Sequence, residues 1–178
     1  MDIDLTPAQL VDFSAWSKKN RSKANSAPRH CLVFTHRTLQ TPMQFRECLW
    51  GRYNDSAADQ QNIFYRNLRE AGVRFVVTGH LHAHALYTIT SPDMQHRLTS
   101  LICAPAGHKV LPLPLLLPTK SRVKTLQYRS GITAYYILTI HPDSMTLDTY
   151  AAPNNGTTDK GPQSDEFKKL PSYRIPMD

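Results

Sequence analysis

Hydrophobic and polar positions follow a different spacing in each half of the chain, with the change near residue 84. In the first half, residues 31–35 and 73–78 form short, continuous apolar runs, which are typical of parallel strands buried on both faces. Between them, residues 62–71 repeat apolar side chains at helical spacing, and Gly72 follows where a left-handed cap is common. This order predicts a strand–helix–strand crossover with two parallel strands.

A further helix is predicted ahead of this unit. Thr6 suits the N-terminal cap, Pro7 suits the first helical position, and Gln9 completes a capping box. Polar residues at 18–29 end the helical pattern. Before them an apolar stripe recurs at every third position and is expected to face a sheet: Leu10, Phe13 and Trp16.

The second half favours antiparallel sheet, because helical spacing gives way to short apolar runs separated by turn residues. The prolines within 111–118 exclude a regular helix or central strand there. An apolar loop over the core is expected, and a lip that contacts lipid or substrate is the alternative. Residues 152–178 are polar and predict an extended tail. Strands are predicted at 85–90, 98–104, 132–140 and 145–150, with a hairpin turn at 141–144.

Charge and length narrow the class of protein. The 178 residues suit one domain and carry a formal net charge of +7. The positive charges are scattered apart from a dense run at 18–23, and no interleaved aromatic residues accompany that run, so nucleic-acid binding is not expected. No apolar stretch reaches the roughly 18–20 residues that a membrane span requires.

Cysteine usage and the first residues bear on the compartment. Cys31, Cys48 and Cys103 are odd in number and widely spaced, which favours reduced, mostly buried thiols. Residues 1–4 include two aspartates and start no apolar signal core. Cytoplasmic residence is therefore the default expectation, and a longer N-terminus would make the protein secreted or periplasmic.

Histidines follow both predicted parallel strands directly. His36 comes after the first, and His80, His82 and His84 alternate after the second, so an extended segment would place these three on one face. Ligand sites in α/β sheets gather at the carboxyl ends of strands, and imidazole is the commonest metal ligand. A metal site at this rim is the leading interpretation, and a histidine-rich polar loop is the alternative.

Three neighbours of the histidines have predicted supporting roles. Thr35 and Thr78 each lie just before a histidine motif and are expected to orient ligands through hydrogen bonds. Gly79 is expected to permit a backbone geometry that a side chain would obstruct.

The motifs resemble those of the calcineurin-like metallophosphoesterase superfamily. The segment 76–82, with the sequence VVTGHLH, is similar to the family's closing Gly-His-x-His motif, and 32–36 resembles the strand-plus-histidine motif before it. The sequence LTPAQL at 5–10 resembles the helix that commonly precedes this pair. The resemblance covers about residues 5–110, and purple-acid-phosphatase-like members are the nearest variety.

The resemblance implies an α/β fold, a four-layer α/β/β/α sandwich with mixed sheets, and a centre of two metals drawn from iron, manganese and zinc. His36 and His80 would bind one metal and His82 the other. His84 lies outside the motif and is only a candidate for contacting the leaving group. The implied activity is hydrolysis of phosphate mono- or diesters by a metal-activated hydroxide.

One part of the family pattern is missing from the chain. The family also uses Asp-x-His, Gly-Asp and Asn-His-Asp or Asn-His-Glu motifs, and none of these occurs here. Residues 1–151 are therefore interpreted as the C-terminal portion of a metallophosphoesterase domain whose N-terminal half is missing. Such a chain is expected to bind at most one metal and to require an N-terminal complement or an oligomer partner.

Other functions remain open on these residues. The first alternative is a non-catalytic remnant of the fold that binds one metal or a protein partner. The second is a mononuclear enzyme in which His36, His80 and His82 bind zinc and water completes the tetrahedron. Whether this chain is an enzyme on its own is left undecided by the sequence.

Overall fold

The computed structural model describes residues 7–24, 30–39, 49, 58–106, 122–154 and 166–176. The described part is an α/β protein with few helices and two sheets, one mixed and one antiparallel. Its helices are α1 (Pro7–Ala24) and α2 (Ala58–Glu70). Its strands are β1 (Cys31–Thr35), β2 (Val73–Thr78), β3 (His84–Thr90), β4 (Arg97–Ile102), β5 (Val123–Arg129), β6 (Ile132–Ile140), β7 (Ser144–Pro153), β8 (Lys168–Lys169) and β9 (Tyr173–Pro176).

The mixed sheet has the strand order β1-β2-β4-β3-β5. Strand β1 precedes α2 in the sequence and β2 follows it, and the two strands pair in parallel. This confirms the predicted strand–helix–strand unit. Strand β4 also runs parallel to β2, so the prediction of a purely antiparallel second half is wrong for this strand. Strand β3 pairs antiparallel with both β4 and β5.

The second sheet is antiparallel and has β7 at its centre. The predicted hairpin between β6 and β7 is confirmed, and it is closed by the His141 amide, which donates to the Ser144 carbonyl over 2.8 Å. Strands β8 and β9 both pair with β7. The prediction of a polar tail over 152–178 is therefore wrong for the described end of the chain, where Ile175 is buried between the sheets.

Two apolar layers cover opposite faces of the mixed sheet. Side chains alternate along its strands, so Val76 faces α2 while its neighbour Phe75 faces the second sheet. On the α2 side, Phe64 and Leu68 of the helix complete the core. On the other side, Phe75, Leu86 and Leu101 pack with residues of β7 and β9, namely Met145, Leu147 and Ile175.

Helix α1 packs against α2. The rings of Phe13 and Phe64 lie 5.1 Å apart, and the Ser17 hydroxyl donates to the Asn67 carbonyl over 2.8 Å. Trp16 stacks on Phe13 but stays 39% exposed, so the predicted stripe is only partly covered. The helix continues to Ala24, beyond the end predicted from the polar residues.

Several predicted features lie outside the described residues: the Thr6 cap, the side chain of Leu10, Cys48 and the proline-rich segment 111–118. Cys31 and Cys103 are described as free thiols. Among the described residues, no helix is both long enough and apolar enough to cross a membrane.

Candidate metal site

The ends of β1 and β2 bring His36 and His80 to one rim of the mixed sheet. The parallel register aligns Thr35 with Thr78, the last residues of the two strands. Beyond the strands, the Gly79 amide donates to the His36 carbonyl over 3.2 Å, which extends the pairing by one step. The two histidines are consequently neighbours although 44 positions separate them in the chain.

The two imidazole rings meet edge to face. Nε2 of His36 lies 2.9 Å from Nδ1 of His80, and the ring centroids are 4.9 Å apart at an interplanar angle of 77°. Two nitrogens on one tetrahedral zinc ion, each about 2.0–2.1 Å from the metal, would lie about 3.3 Å apart. A separation of the rings by a few tenths of an ångström would therefore let both lone pairs bind one ion.

The backbone after β2 is a tight turn, so the prediction of an extended histidine run is wrong. His80 and His82 have φ angles of 72° and 50°, in the left-handed region that residues other than glycine rarely adopt. The Leu81 amide donates to the Gly79 carbonyl over 2.9 Å, and the Leu81 side chain is buried in the core. The buried Leu81 holds the turn while His80 and His82 stay partly exposed on either side of it.

The structure brings together two of the three predicted metal ligands. Within the described ranges, no three His, Cys, Asp or Glu side chains are grouped closely enough to hold a metal ion. His82 is therefore not part of a three-residue group with His36 and His80. In this arrangement a mononuclear zinc site would lack its third histidine.

The threonines beside the histidines form hydrogen bonds to backbone carbonyls. The Thr35 hydroxyl donates to the Arg37 carbonyl over 2.6 Å, and the Thr78 hydroxyl donates to the Leu101 carbonyl over 2.9 Å. These bonds hold the strand ends and not the imidazole rings, in contrast to the predicted role. A Cβ at Gly79 would lie 3.8 Å from the His36 carbonyl oxygen, which is an ordinary contact. The space around Gly79 would therefore accommodate a side chain, and crowding does not explain the glycine.

His84 is fully buried as the first residue of β3 and lies between the two sheets. Its Nδ1 is 3.3 Å from the Tyr136 hydroxyl, and its Nε2 is 3.3 Å from the side-chain carbonyl oxygen of Gln127. The Gln127 amide nitrogen donates to the Pro171 carbonyl, which fixes the orientation of that amide. Since the Gln127 oxygen can only accept, Nε2 donates and Nδ1 accepts from Tyr136, as in a neutral imidazole.

Burial lowers the pKa of His84 to about 4, against an ordinary value of 6.5. The ring also stacks on Tyr136, with centroids 5.8 Å apart. A buried, neutral ring whose nitrogens are engaged by Tyr136 and Gln127 is suited to joining the sheets. The geometry thus favours a packing role for His84 over contact with a leaving group.

This pKa makes stability depend on pH. Because the unfolded chain binds the His84 proton more tightly, stability falls as the pH drops from 6.5 towards about 4. Between about pH 7.5 and about pH 5 the expected loss is about 2 kcal/mol. Urea unfolding at both pH values measures the drop in the free energy of unfolding. The unmodified protein should show the His84 contribution of about 2 kcal/mol, and His84→Gln should lack it.

His141→Gln, at an exposed position in the β6–β7 turn, provides the matched control. It should leave the difference between the two pH values close to that of the unmodified protein. An unchanged difference in His84→Gln would contradict the assigned burial of a neutral ring.

A scan against profiles of known protein families found no match, and a search of curated proteins found no match either. The described residues define an α/β protein in which two histidines are paired at the carboxyl ends of adjacent parallel strands.

Proposed function

We propose that this chain provides the C-terminal portion of a metal-dependent phosphoesterase. The observation that carries the proposal is the 2.9 Å contact between Nε2 of His36 and Nδ1 of His80. The two rings follow the ends of β1 and β2. The phosphoesterase resemblance implies that the histidines at these two positions bind one metal. Iron, manganese and zinc all accept imidazole nitrogen and are the metals proposed.

The layering of the described residues supports the proposed four-layer sandwich. Helices cover one face of the mixed sheet, and the antiparallel sheet covers the other. The outer face of the antiparallel sheet leaves Tyr135 and Ile137 of β6 about half exposed, at 47% and 48%. In the proposed complete domain a second helical layer covers this face.

The edge of the mixed sheet supports the proposed N-terminal complement. Strand β1 is an edge strand of the mixed sheet, and among the described residues it pairs with β2 alone. Phe34 on this strand is 71% exposed. Further strands added beside β1 would cover it and would bring carboxylate ligands to the rim where His36 lies.

The chain's own residues have a limited task in this chemistry. His36 and His80 would hold the metal at the sheet rim, and the buried Leu81 fixes the turn that carries His80. When bound, the metal supplies a coordinated water of lowered pKa and neutralises charge on the phosphoryl oxygens. His82, partly exposed on the same turn, is proposed as a ligand of the second metal only in the complete domain.

The experiment is a pair of measurements on the purified chain. After zinc is added, titration with inorganic phosphate should show a binding component that requires the metal and disappears in His80→Ala. Turnover of a nitrophenyl phosphate should stay near background, because the carboxylates needed for a second metal are not grouped in the described part of the chain. Absence of any metal-dependent phosphate binding would contradict the phosphoesterase proposal, and turnover that His80→Ala abolishes would contradict the need for a complement.

A second candidate is a non-catalytic remnant of the fold that binds one metal or a protein partner. Within the described ranges, no third metal-ligating side chain is grouped with the two histidines, and this favours the second candidate. This candidate predicts a folded chain that binds zinc without acquiring any metal-dependent affinity for phosphate. The same titration therefore separates the two functions.

A further inference from the structure

A groove rich in arginine lies where α2, the mixed sheet and β9 meet. Its volume is about 280 Å³, and no acidic residue is found among its described lining residues. Three of the lining side chains are guanidinium groups and three carry hydroxyls: Arg69, Arg74, Arg97, Thr88, Thr99 and Tyr173.

This groove is distinct from the histidine pair. Arg74 and Arg97 lie at the beginnings of the parallel strands β2 and β4, whereas His80 follows the end of β2. Arg74 and Gly79 are five positions apart along one strand direction, which corresponds to about 16 Å. The arginines and the histidines therefore occupy opposite rims of the mixed sheet.

Two of the guanidinium groups are held in place by the fold. Nη1 of Arg74 donates to the carbonyls of Arg69 and Val73, over 2.9 and 3.2 Å. Nη2 of Arg97 donates to the Thr88 hydroxyl over 3.2 Å. These bonds hold both side chains in one orientation and so reduce the entropy lost when an anion binds.

The floor of the groove adds neutral donors. Thr88 and Thr99 are cross-strand partners in the antiparallel pair of β3 and β4, so their side chains stand on the same face of the sheet. Both are buried, and Arg97 is two positions before Thr99 on that face. Hydroxyls and guanidinium groups thus converge on one small volume.

We propose that this groove is a binding site for the phosphate group of a small molecule. Guanidinium groups pair with phosphate oxygens through two parallel hydrogen bonds, and hydroxyls supply further donors. A volume of about 280 Å³ is at the lower end of ligand pockets, which fits a phosphate with a short organic group. The proposal does not depend on the metal site, since the groove lies at the other rim and no histidine is among its described lining residues.

The test is calorimetric titration with inorganic phosphate and with pyrophosphate, in a chelator and at fixed ionic strength. One saturable site per chain is expected in the unmodified protein and in His80→Ala alike. Arg97→Gln and Arg69→Gln should each weaken binding by about tenfold or more, because each removes a charge-assisted contact. Arg97 is exposed, so its replacement should leave the fold intact, as circular dichroism would verify.

Arg174→Gln is the matched control, because Arg174 is an exposed arginine of β9 that pairs with Asp143 over 3.0 Å and does not line the groove. It should change the affinity by no more than about twofold. The proposal is overturned if phosphate does not saturate a site, or if Arg174→Gln weakens binding as much as Arg97→Gln. Loss of binding in the chelator or in His80→Ala would also overturn it and would assign the anion to the histidine rim.

Discussion

Replacing Phe75 with alanine should lower the free energy of unfolding by about 3–5 kcal/mol. Phe75 is only 1% exposed and packs in the layer between the two sheets, beside Leu86 and Leu101. Its removal would leave a cavity that β2, at the centre of the parallel strands, has little freedom to close. Urea unfolding followed by circular dichroism measures the loss.

The matched control is Phe34→Ala. Phe34 lies on the neighbouring strand β1 but is 71% exposed, so the same change should reduce stability by less than about 1 kcal/mol. The comparison keeps the substitution constant and varies burial alone. Similar losses for both variants would show that the second sheet does not pack on the mixed sheet as described.

Replacing His80 with alanine should weaken zinc binding by more than about tenfold. Loss of a residue that merely orients a metal ligand already reduces metal affinity by about 10–100-fold, and His80 is proposed as a ligand itself. His36→Ala should have an effect of the same size, because both rings are proposed as donors to one ion. Competition with a chromogenic chelator measures both affinities.

His82→Ala distinguishes the pair from a larger set of ligands. His82 follows His80 by two positions but belongs to no three-residue ligand group among the described residues. Its replacement should therefore change the zinc affinity of this chain by less than about threefold, well below the effect expected for a ligand. An effect as large as that of His80→Ala would contradict a two-histidine site and would favour the mononuclear three-histidine centre.

The sequence predicted the features that depend on local patterns and on sheet geometry. Continuous apolar runs identified β1 and β2, and the helical spacing between them identified α2. Parallel strands end at the same rim of a sheet, so His36 and His80 could be placed together from sequence alone. The 2.9 Å contact is consistent with that geometric rule.

The errors come from interactions between distant parts of the chain. No local pattern predicts the burial of Leu81. Its burial accompanies a tight bend, with positive φ at His80 and His82, in place of the expected extended run. His84 was grouped with them by spacing, yet its partners Gln127 and Tyr136 come from strands more than 40 positions later.

The arginine groove was missed for a similar reason. Arg69, Arg74 and Arg97 form no motif in the sequence, and only the parallel pairing of β2 with β4 and the turn after α2 bring them together. The strands near the C-terminus could not be predicted because their side chains are mostly polar. Lys168 and Lys169 pair with β7 through their backbone while their side chains are exposed. Composition alone does not reveal such backbone pairing.

The most direct measurement is anomalous diffraction from a crystal of the protein soaked in zinc. We expect one strong peak at the rim of the mixed sheet, about 2.0–2.1 Å from both Nε2 of His36 and Nδ1 of His80. A zinc ion bound elsewhere, with these two rings still in contact with each other, would contradict the shared metal site.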